Sequence, residues 1–309
     1  MSEVEEGGAT DGGGMGVTPG RPALTVLLGE ARKAAALFHL PLRQQRWRGL
    51  SGDRAGLGVG SSLEFQDHRA YLPGDDPRQI NWQAFARTGH YTMKQYREEV
   101  RPVVDVILDA SESMFAFPEK AARSAGLWYF GVESALRHGA SIRLIAARGG
   151  AHRIVEAGAV LSHRWWEDMA GWAAAEPNEP TALARLPLRP GSLRVWLTDL
   201  LFPAAPEPLL AALTARNGRA VVLAPFCAEE AEPDWQGNFE FVDAETRTVH
   251  LRKVEPAMQE RYRAAYARHF AWWKGAARKY GIPLSRVAAE GPLIEALQAE
   301  AVPDGALEL

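Results

Sequence analysis

Cysteine is almost absent. Cys227 is the only one in 309 residues, so no disulfide can form within the chain. It closes the apolar run Val221-Val222-Leu223-Ala224-Pro225-Phe226 and reads as a small core residue at a strand end rather than a catalytic thiol. No apolar stretch reaches the ~18 residues that a membrane span needs. The opening MSEVEEGGAT lacks a basic segment followed by an apolar one, so no signal peptide is expected and the expected location is the cytoplasm. Neither sign of charge is in excess: 35 Lys and Arg stand against 38 Asp and Glu, a net charge of -3, which excludes a broad nucleic-acid-binding surface. No Gly-Lys-Ser/Thr phosphate loop occurs, so any use of ATP must come from a partner. The eight histidines are scattered without metal-ligand spacing.

What remains is an ordinary globular balance, 47% hydrophobic and 24% charged. Residues 1–20 are Gly-rich and acidic and cannot bury enough surface to offset the entropy of ordering, which predicts a disordered tail. Leu24, Leu27, Leu28, Ala31, Ala34, Ala35 and Phe38 recur at helical spacing up to Pro41. The glycines of 56–60 follow a polar stretch and precede a non-helical one, so they read as a flexible loop rather than a phosphate cradle. From residue 101 the pattern changes. Strands are expected at Val103–Leu108, Ile142–Ala146, Arg153–Val155, Leu193–Thr198 and Ala220–Pro225. Helices are expected near 119–138, 164–174 and 207–215, and a long one over 255–280 capped by Gly281. An inserted hairpin is expected near 239–251, an edge strand at 285–288 and a last short helix over 293–299. Apolar strands alternating with helices imply a doubly wound, mostly parallel sheet covered on both faces. The predicted organisation is a tail (1–20), an N-terminal helix and segment packed on the core (21–100), and an α/β domain (101–300).

In such a sheet, ligands bind beyond the carboxyl ends of the strands. The first strand ends Leu108-Asp109-Ala110-Ser111-Glu112-Ser113, and odd spacing turns Asp109, Ser111 and Ser113 inward. The fourth ends Leu197-Thr198-Asp199, and Thr181 lies in a loop between them. Two carboxylates and three hydroxyls are hard ligands, suited to Mg²⁺ or Mn²⁺, with Ca²⁺ possible, rather than to zinc or copper. The competing reading makes Asp109 a strand-end residue and Ser111 or Ser113 a helix cap. Met114, Phe115 and Phe117 could rim such an ion or pack in the core.

These residues resemble the metal-ion-dependent adhesion site of von Willebrand factor A domains. The preceding segment, Leu63 to Gly89, resembles the signature of domain-of-unknown-function family 58, a bacterial family in which it leads into such a domain. Asp243-Ala244-Glu245-Thr246, the long helix and Tyr280-Gly281-Ile282-Pro283 fit the same family. Two departures stand out: Asn81 replaces an Asp before Trp82, and Pro180 precedes Thr181 where a small residue is commoner. The resemblance implies a von Willebrand factor A-like fold and a protein-binding role, not an enzyme. Its implied partners are a MoxR-type AAA+ ATPase and other von Willebrand factor A-like proteins, in bacterial protein assembly or maturation.

The signature also offers a second partner surface: Glu64, Arg69, Tyr71, Asp75, Asp76, Arg78, Trp82 and Arg87. The alternative is an ion-pair network that clamps the segment, with Pro77 opening a short helix capped by Asp75 or Asp76. Two other functions compete with protein binding. A hydrolase of haloacid dehalogenase type needs a second Asp two residues after the nucleophile, where this chain has Ser111. The other is a structural domain with an empty metal site.

Overall fold

The computed structural model describes residues 21–42, 63–72, 77–98, 101–170, 172 and 179–309. The tail 1–20, the glycines of 56–60, and Asp75 and Asp76 lie outside the described residues, as do 171, 173 and 174 of the helix expected near 164–174. The chain divides into two units, one comprising 1–44 and 102–309 and the other 45–101.

In chain order the elements begin with helix α1 (Arg21–Leu37). The smaller unit then contributes strand β1 (Leu63–Ala70), helix α2 (Trp82–Thr88) and strand β2 (Thr92–Glu98). The larger unit resumes with β3 (Val103–Asp109), α3 (Pro118–Arg137), β4 (Ser141–Arg148), β5 (Ala151–Val155), α4 (Ala157–Leu161) and α5 (Arg164–Ala170). It continues with β6 (Leu193–Leu197), α6 (Pro206–Thr214), β7 (Arg219–Phe226) and α7 (Ala228–Ala231). A hairpin of β8 (Gly237–Val242) and β9 (Val249–Val254) precedes α8 (Pro256–Lys279), β10 (Leu284–Ala288) and α9 (Leu293–Ala296).

The larger unit is a mixed α/β fold around a six-stranded sheet of order β10-β7-β6-β3-β4-β5. All neighbours run parallel except β5, which pairs antiparallel with β4 at one edge. Successive β3 residues serve opposite faces, as the period of two requires. Val106 meets α3, where a Cβ on Gly131 would lie 3.1 Å from it, so glycine is what lets that helix sit so close. Ile107 joins Trp196, Val222, Leu210, Phe270 and Trp273 in the core beneath α6 and α8. Helices therefore cover both faces. The chain builds one half of the sheet from β3 outward to β5, then returns to build β6, β7 and β10 on the other side. The reversal falls between β3 and β6, where doubly wound sheets open a crevice at the carboxyl ends.

Helix α1 belongs with this unit, not with the signature segment as the sequence grouping of 21–100 had it. Its buried Ala31, Ala34 and Ala35 form the close-packing face, Arg32 pairs with Glu133 of α3 at 2.9 Å, and the Leu40 N–H that follows donates to Ser134 at 3.2 Å. The unit also runs past residue 300: His39 and Glu308 exchange backbone hydrogen bonds of 2.7 and 2.8 Å, and Ala306 and Leu307 are buried.

In the smaller unit β1 and β2 form an antiparallel ribbon with a bulge between Phe65 and Asp67. The expected short helix starts later than Pro77. Pro77–Gln79 is a single 3-10 turn, and α2 begins after Asn81, whose side chain caps it by accepting from the Ala84 N–H at 3.2 Å. Asn81 is thus the cap that the sequence reading assigned to Asp75 or Asp76.

At the amino end of the sheet, Asp105 is fully buried and accepts from the Arg189 N–H (2.8 Å), Arg189 Nε (2.7 Å) and Ser192 Oγ (2.7 Å). Removing a buried, fully bonded carboxylate strands its cationic partner. Asp105→Ala should cost about 3–5 kcal/mol in urea unfolding; a loss under ~1 kcal/mol would mean that the Arg189 loop holds without it.

Candidate functional site

Asp109 ends β3 and Asp199 lies two residues beyond β6, the neighbouring parallel strand. Both are buried, at 3% and 2% exposure. Asp109 Oδ1 accepts from the Ser111 N–H at 3.0 Å and Oδ2 from the Thr198 hydroxyl at 2.8 Å. Asp199 Oδ1 accepts from the Leu201 N–H at 3.0 Å, and its carboxylate also takes a bond from the Ser113 side chain. Ser111 and Ser113 hydroxyls are 3.1 Å apart. Four of the five expected ligands, Asp109, Ser111, Ser113 and Asp199, are therefore brought together in one bonded cluster. Thr181 is buried and its Oγ1 has no hydrogen-bond partner among the described residues. The next residue, Ala182, donates to the Gly149 carbonyl at 2.9 Å, and Gly149 lines the same cleft as Asp109.

The backbone here is strained. Leu200, next to Asp199, has φ +61° although it is a bulky, fully buried residue. Such a conformation costs on the order of 1–3 kcal/mol and persists where surrounding structure enforces it. Three polar contacts do so here: Leu200 N–H to Thr198 Oγ1 (3.3 Å), Leu201 N–H to Asp199, and His269 to the Leu200 carbonyl (2.7 Å).

Lys120, which the sequence reading passed over, decides the electrostatics. It is fully buried in the first turn of α3, with Nζ 2.8 Å from Asp199 Oδ2 and 2.5 Å from Glu230 Oε1. Burial opposes its charge, but Asp199 and then Glu230 outweigh that and hold its pKa above the ordinary lysine value. Burial would likewise raise the Asp199 carboxyl, yet the Lys120 ammonium keeps it low. Asp109 has no such partner. Burial, then repulsion from Asp199, pushes it up to about 6 against the hydrogen bonds of Thr198 and Ser111.

The cleft mouth is lined by Ser111, Ser113, Arg148, Glu179, Leu201, Phe202 and Glu245. Glu245 comes from the tip of the β8–β9 hairpin and accepts the Ser113 N–H at 3.1 Å. Arg148 bonds Glu112 at 2.9 Å and lies 3.9 Å from Glu245, and Arg247 reaches Glu112 at 3.1 Å. The apolar rim is Leu201 and Phe202. Met114 and Phe115, offered from sequence as rim or core, are core, with Phe115 edge-on to Trp166 at 5.5 Å.

The donor set suits a hard divalent ion in part. A buried, unpartnered hydroxyl on Thr181 and a carboxyl on Asp109 that resists ionisation are what a missing cation would leave behind. Lys120 already supplies one positive charge, however, and among the described residues no three His, Cys, Asp or Glu side chains lie close enough to share an ion. Any ion here would be held by two carboxylates with hydroxyls and water.

Comparison with known proteins places the chain. The family described as "Protein of unknown function DUF58" matches residues 67–272. The chain belongs to that family. Uncharacterized proteins of Mycobacterium bovis and of two Mycobacterium tuberculosis strains are each 27% identical to it over 274 residues, 82% of this chain and 84% of theirs. Among solved structures, a conserved hypothetical protein BatB from Bacteroides thetaiotaomicron is 16% identical with a TM-score of 0.32, covering 66% of this chain and 98% of its own. An aerotolerance-related membrane protein from Bacteroides fragilis is 14% identical with a TM-score of 0.31, covering 58% and 98%. In this DUF58 chain no helix of the described residues is long and apolar enough to cross a membrane.

The residues offered as a second partner surface all fall in the unit 45–101. Trp82 is 58% exposed and meets Phe85 and Tyr91 edge-on, Tyr71 is half-buried 6.2 Å from Tyr91, and Arg78 and Arg87 are exposed. Glu64 and Arg69 lie on β1.

Two outcomes follow for the site. Because the folded chain holds the Asp109 proton more tightly than the unfolded chain does, this residue's contribution to stability falls as pH rises from about 4 to about 6, then levels off. Asp109→Asn, assayed in chelator, should match wild type near pH 4 and exceed it by on the order of 2–3 kcal/mol at pH 7; parallel pH profiles would show that Asp109 ionises freely. Lys120→Met leaves Asp199 and Glu230 facing each other without a cation. It should cost about 3–5 kcal/mol in denaturant melts at pH 7, and a near-neutral effect would remove Lys120 from the account.

Proposed function

We propose that this chain is a metal-ion-dependent protein-binding module with a von Willebrand factor A-like fold, acting by partner recognition rather than catalysis. The observation that carries this reading is the pairing of Asp109 and Asp199 at the carboxyl ends of adjacent parallel strands, with the unpartnered Thr181 hydroxyl in the loop beside them. Asp109, Ser111, Ser113, Thr181 and Asp199 would hold Mg²⁺ or Mn²⁺, directly or through water, and Ca²⁺ fits the same oxygen chemistry. A bound cation would supply an open coordination position for an external carboxylate. The protein's own part is to hold two carboxylates at fixed spacing, to neutralise one of them with Lys120, and to present Leu201 and Phe202 as an apolar rim. Such charge-assisted contacts set register and specificity more than contact area does. The partner that the family resemblance implies is a MoxR-type AAA+ ATPase, together with other von Willebrand factor A-like proteins.

Ser111 stands where haloacid dehalogenase chemistry needs its second Asp, which favours binding over hydrolysis. A second reading is supported by Lys120: an ammonium already bonded to Asp199 suits a structural domain whose site stays without an ion.

Calorimetric titration with Mg²⁺ and Mn²⁺ separates the two. Saturable binding that Asp109→Asn abolishes is the expected result, together with chelator-sensitive pull-down of the MoxR-type ATPase of the same organism. No heat of binding with either ion, or the same affinity for the ATPase in chelator, would leave the structural reading.

A further inference from the structure

The cleft is already filled from within. Asp243 Oδ1 accepts from the Glu245 N–H at 3.0 Å and the Thr246 N–H at 2.7 Å, and Arg247 takes a left-handed φ of +58°. This compact turn aims Glu245 at the 111–115 loop, where its carboxylate takes the Ser113 N–H and lies near Arg148. A cavity of only about 20 Å³ remains beside it, enough for roughly one water and too little for another side chain. Glu245 is not placed as a third ion ligand, since no three acidic, His or Cys side chains come within reach of one ion among the described residues.

The outer half of the hairpin that carries Glu245 buries little apolar surface. Val242, Val249 and Leu251 are 52%, 51% and 72% exposed, and only Val254 of β9 is buried. Between its base and α8 lies an apolar cavity of about 440 Å³ walled by Trp235, Phe241, Met258 and Tyr262. The hairpin's base is held by aromatic rings, Phe241 against Trp235 at 5.1 Å and Trp235 against Tyr262 at 6.0 Å, whereas the outer half buries little apolar surface, the signature of a segment that opens locally. What pins its tip is polar: Glu245 to Ser113, and Arg247 to Glu112.

We propose that the hairpin tip is a built-in competitor. Glu245 occupies a carboxylate-accepting cleft formed by the Ser113 N–H and Arg148, and a protein partner presenting an exposed Glu or Asp binds by displacing it. This rests on the reading that the cleft receives a partner, and it adds the requirement that the hairpin move first. The resident turn, Asp243-Ala244-Glu245-Thr246, shows the chemistry of the incoming segment: a carboxylate at the apex of a short polar turn.

The test uses the full chain in chelator, so that it does not depend on any cation. The probe is a labelled peptide with this chain's own residues 239–251, and a control peptide carries Gln in place of Glu245. A Glu245→Ala/Arg247→Ala variant should bind the Glu peptide at least tenfold more tightly than wild type and the Gln peptide no better than wild type does. The Ser113 amide should exchange with deuterium at least tenfold faster in the variant. Glu245→Gln, which keeps the turn's shape, should move both readouts the same way by less, and serves if the double variant does not fold. Equal peptide affinity for wild type and variant, equal binding of the two peptides, or unchanged Ser113 exchange overturns the proposal. Because no metal is present, failure here leaves the cation titration untouched. Success here with a silent cation titration would leave a carboxylate cleft that works without an ion.

Discussion

Asp199 can remain ionised at the carboxyl edge of the sheet because the Lys120 ammonium is buried against it. Two carboxylates deep in a low-dielectric crevice repel each other, and burial alone would protonate both. Lys120 resolves this asymmetrically: it bonds Asp199 and Glu230 and leaves Asp109 to bear the cost. The site is thus a charge ladder in which one acid is neutralised internally and the other is held partly protonated near neutrality. The strained Leu200 backbone belongs to the same arrangement, since it turns the chain sharply enough for the Leu201 N–H to reach back to Asp199.

Around that centre the fold contributes placement. The return of the chain from the β3–β5 half to the β6–β10 half brings two strand ends side by side without their being close in sequence. The hairpin is outside the sheet and adds a third segment from above. Charge falls in three layers, Lys120 with Glu230 below, Asp109 with Asp199 in the middle, and Arg148 with Glu112 and Glu245 at the mouth, so a cation lies on either side of the acid pair while acids stay in excess.

The elements that sequence reading located were those whose residues have one environment along their length. Val103–Leu108 and Ala220–Pro225 are apolar because parallel central strands are covered on both faces, and α8 shows its helical spacing and its Gly281 stop. The β1–β2 ribbon was not legible, because Leu-Glu-Phe-Gln-Asp-His-Arg-Ala is too polar, with only its first three residues alternating, to separate from loop. Asp109, Ser111, Ser113 and Asp199 could be read because strand-end spacing carries them. Lys120 could not: after Glu119 and two residues into a helix it looks like an exposed lysine. A faint signal was present in the residues that share its helix face, Ser124 and Leu127, since an apolar Leu127 in line is a wrong neighbour for a solvated side chain. Glu245 and Arg148 were invisible as site residues, since only the docking of the hairpin makes them neighbours of Ser113.

The contacts that define the cleft join residues far apart in the chain: 79 residues separate Lys120 from Asp199, 89 separate Asp109 from Thr198, 110 separate Lys120 from Glu230 and 132 separate Ser113 from Glu245. None can form from local structure, and each closes a long loop whose entropy must be paid before the bond contributes anything. The cleft is therefore among the last features that a folding chain completes. A chain synthesised only as far as β6 already holds Asp109 and the two serines, but it has neither the acid that Lys120 pairs with nor the carboxylate that covers Ser113. A completed cleft therefore reports that the larger unit has been assembled through residue 245 at least.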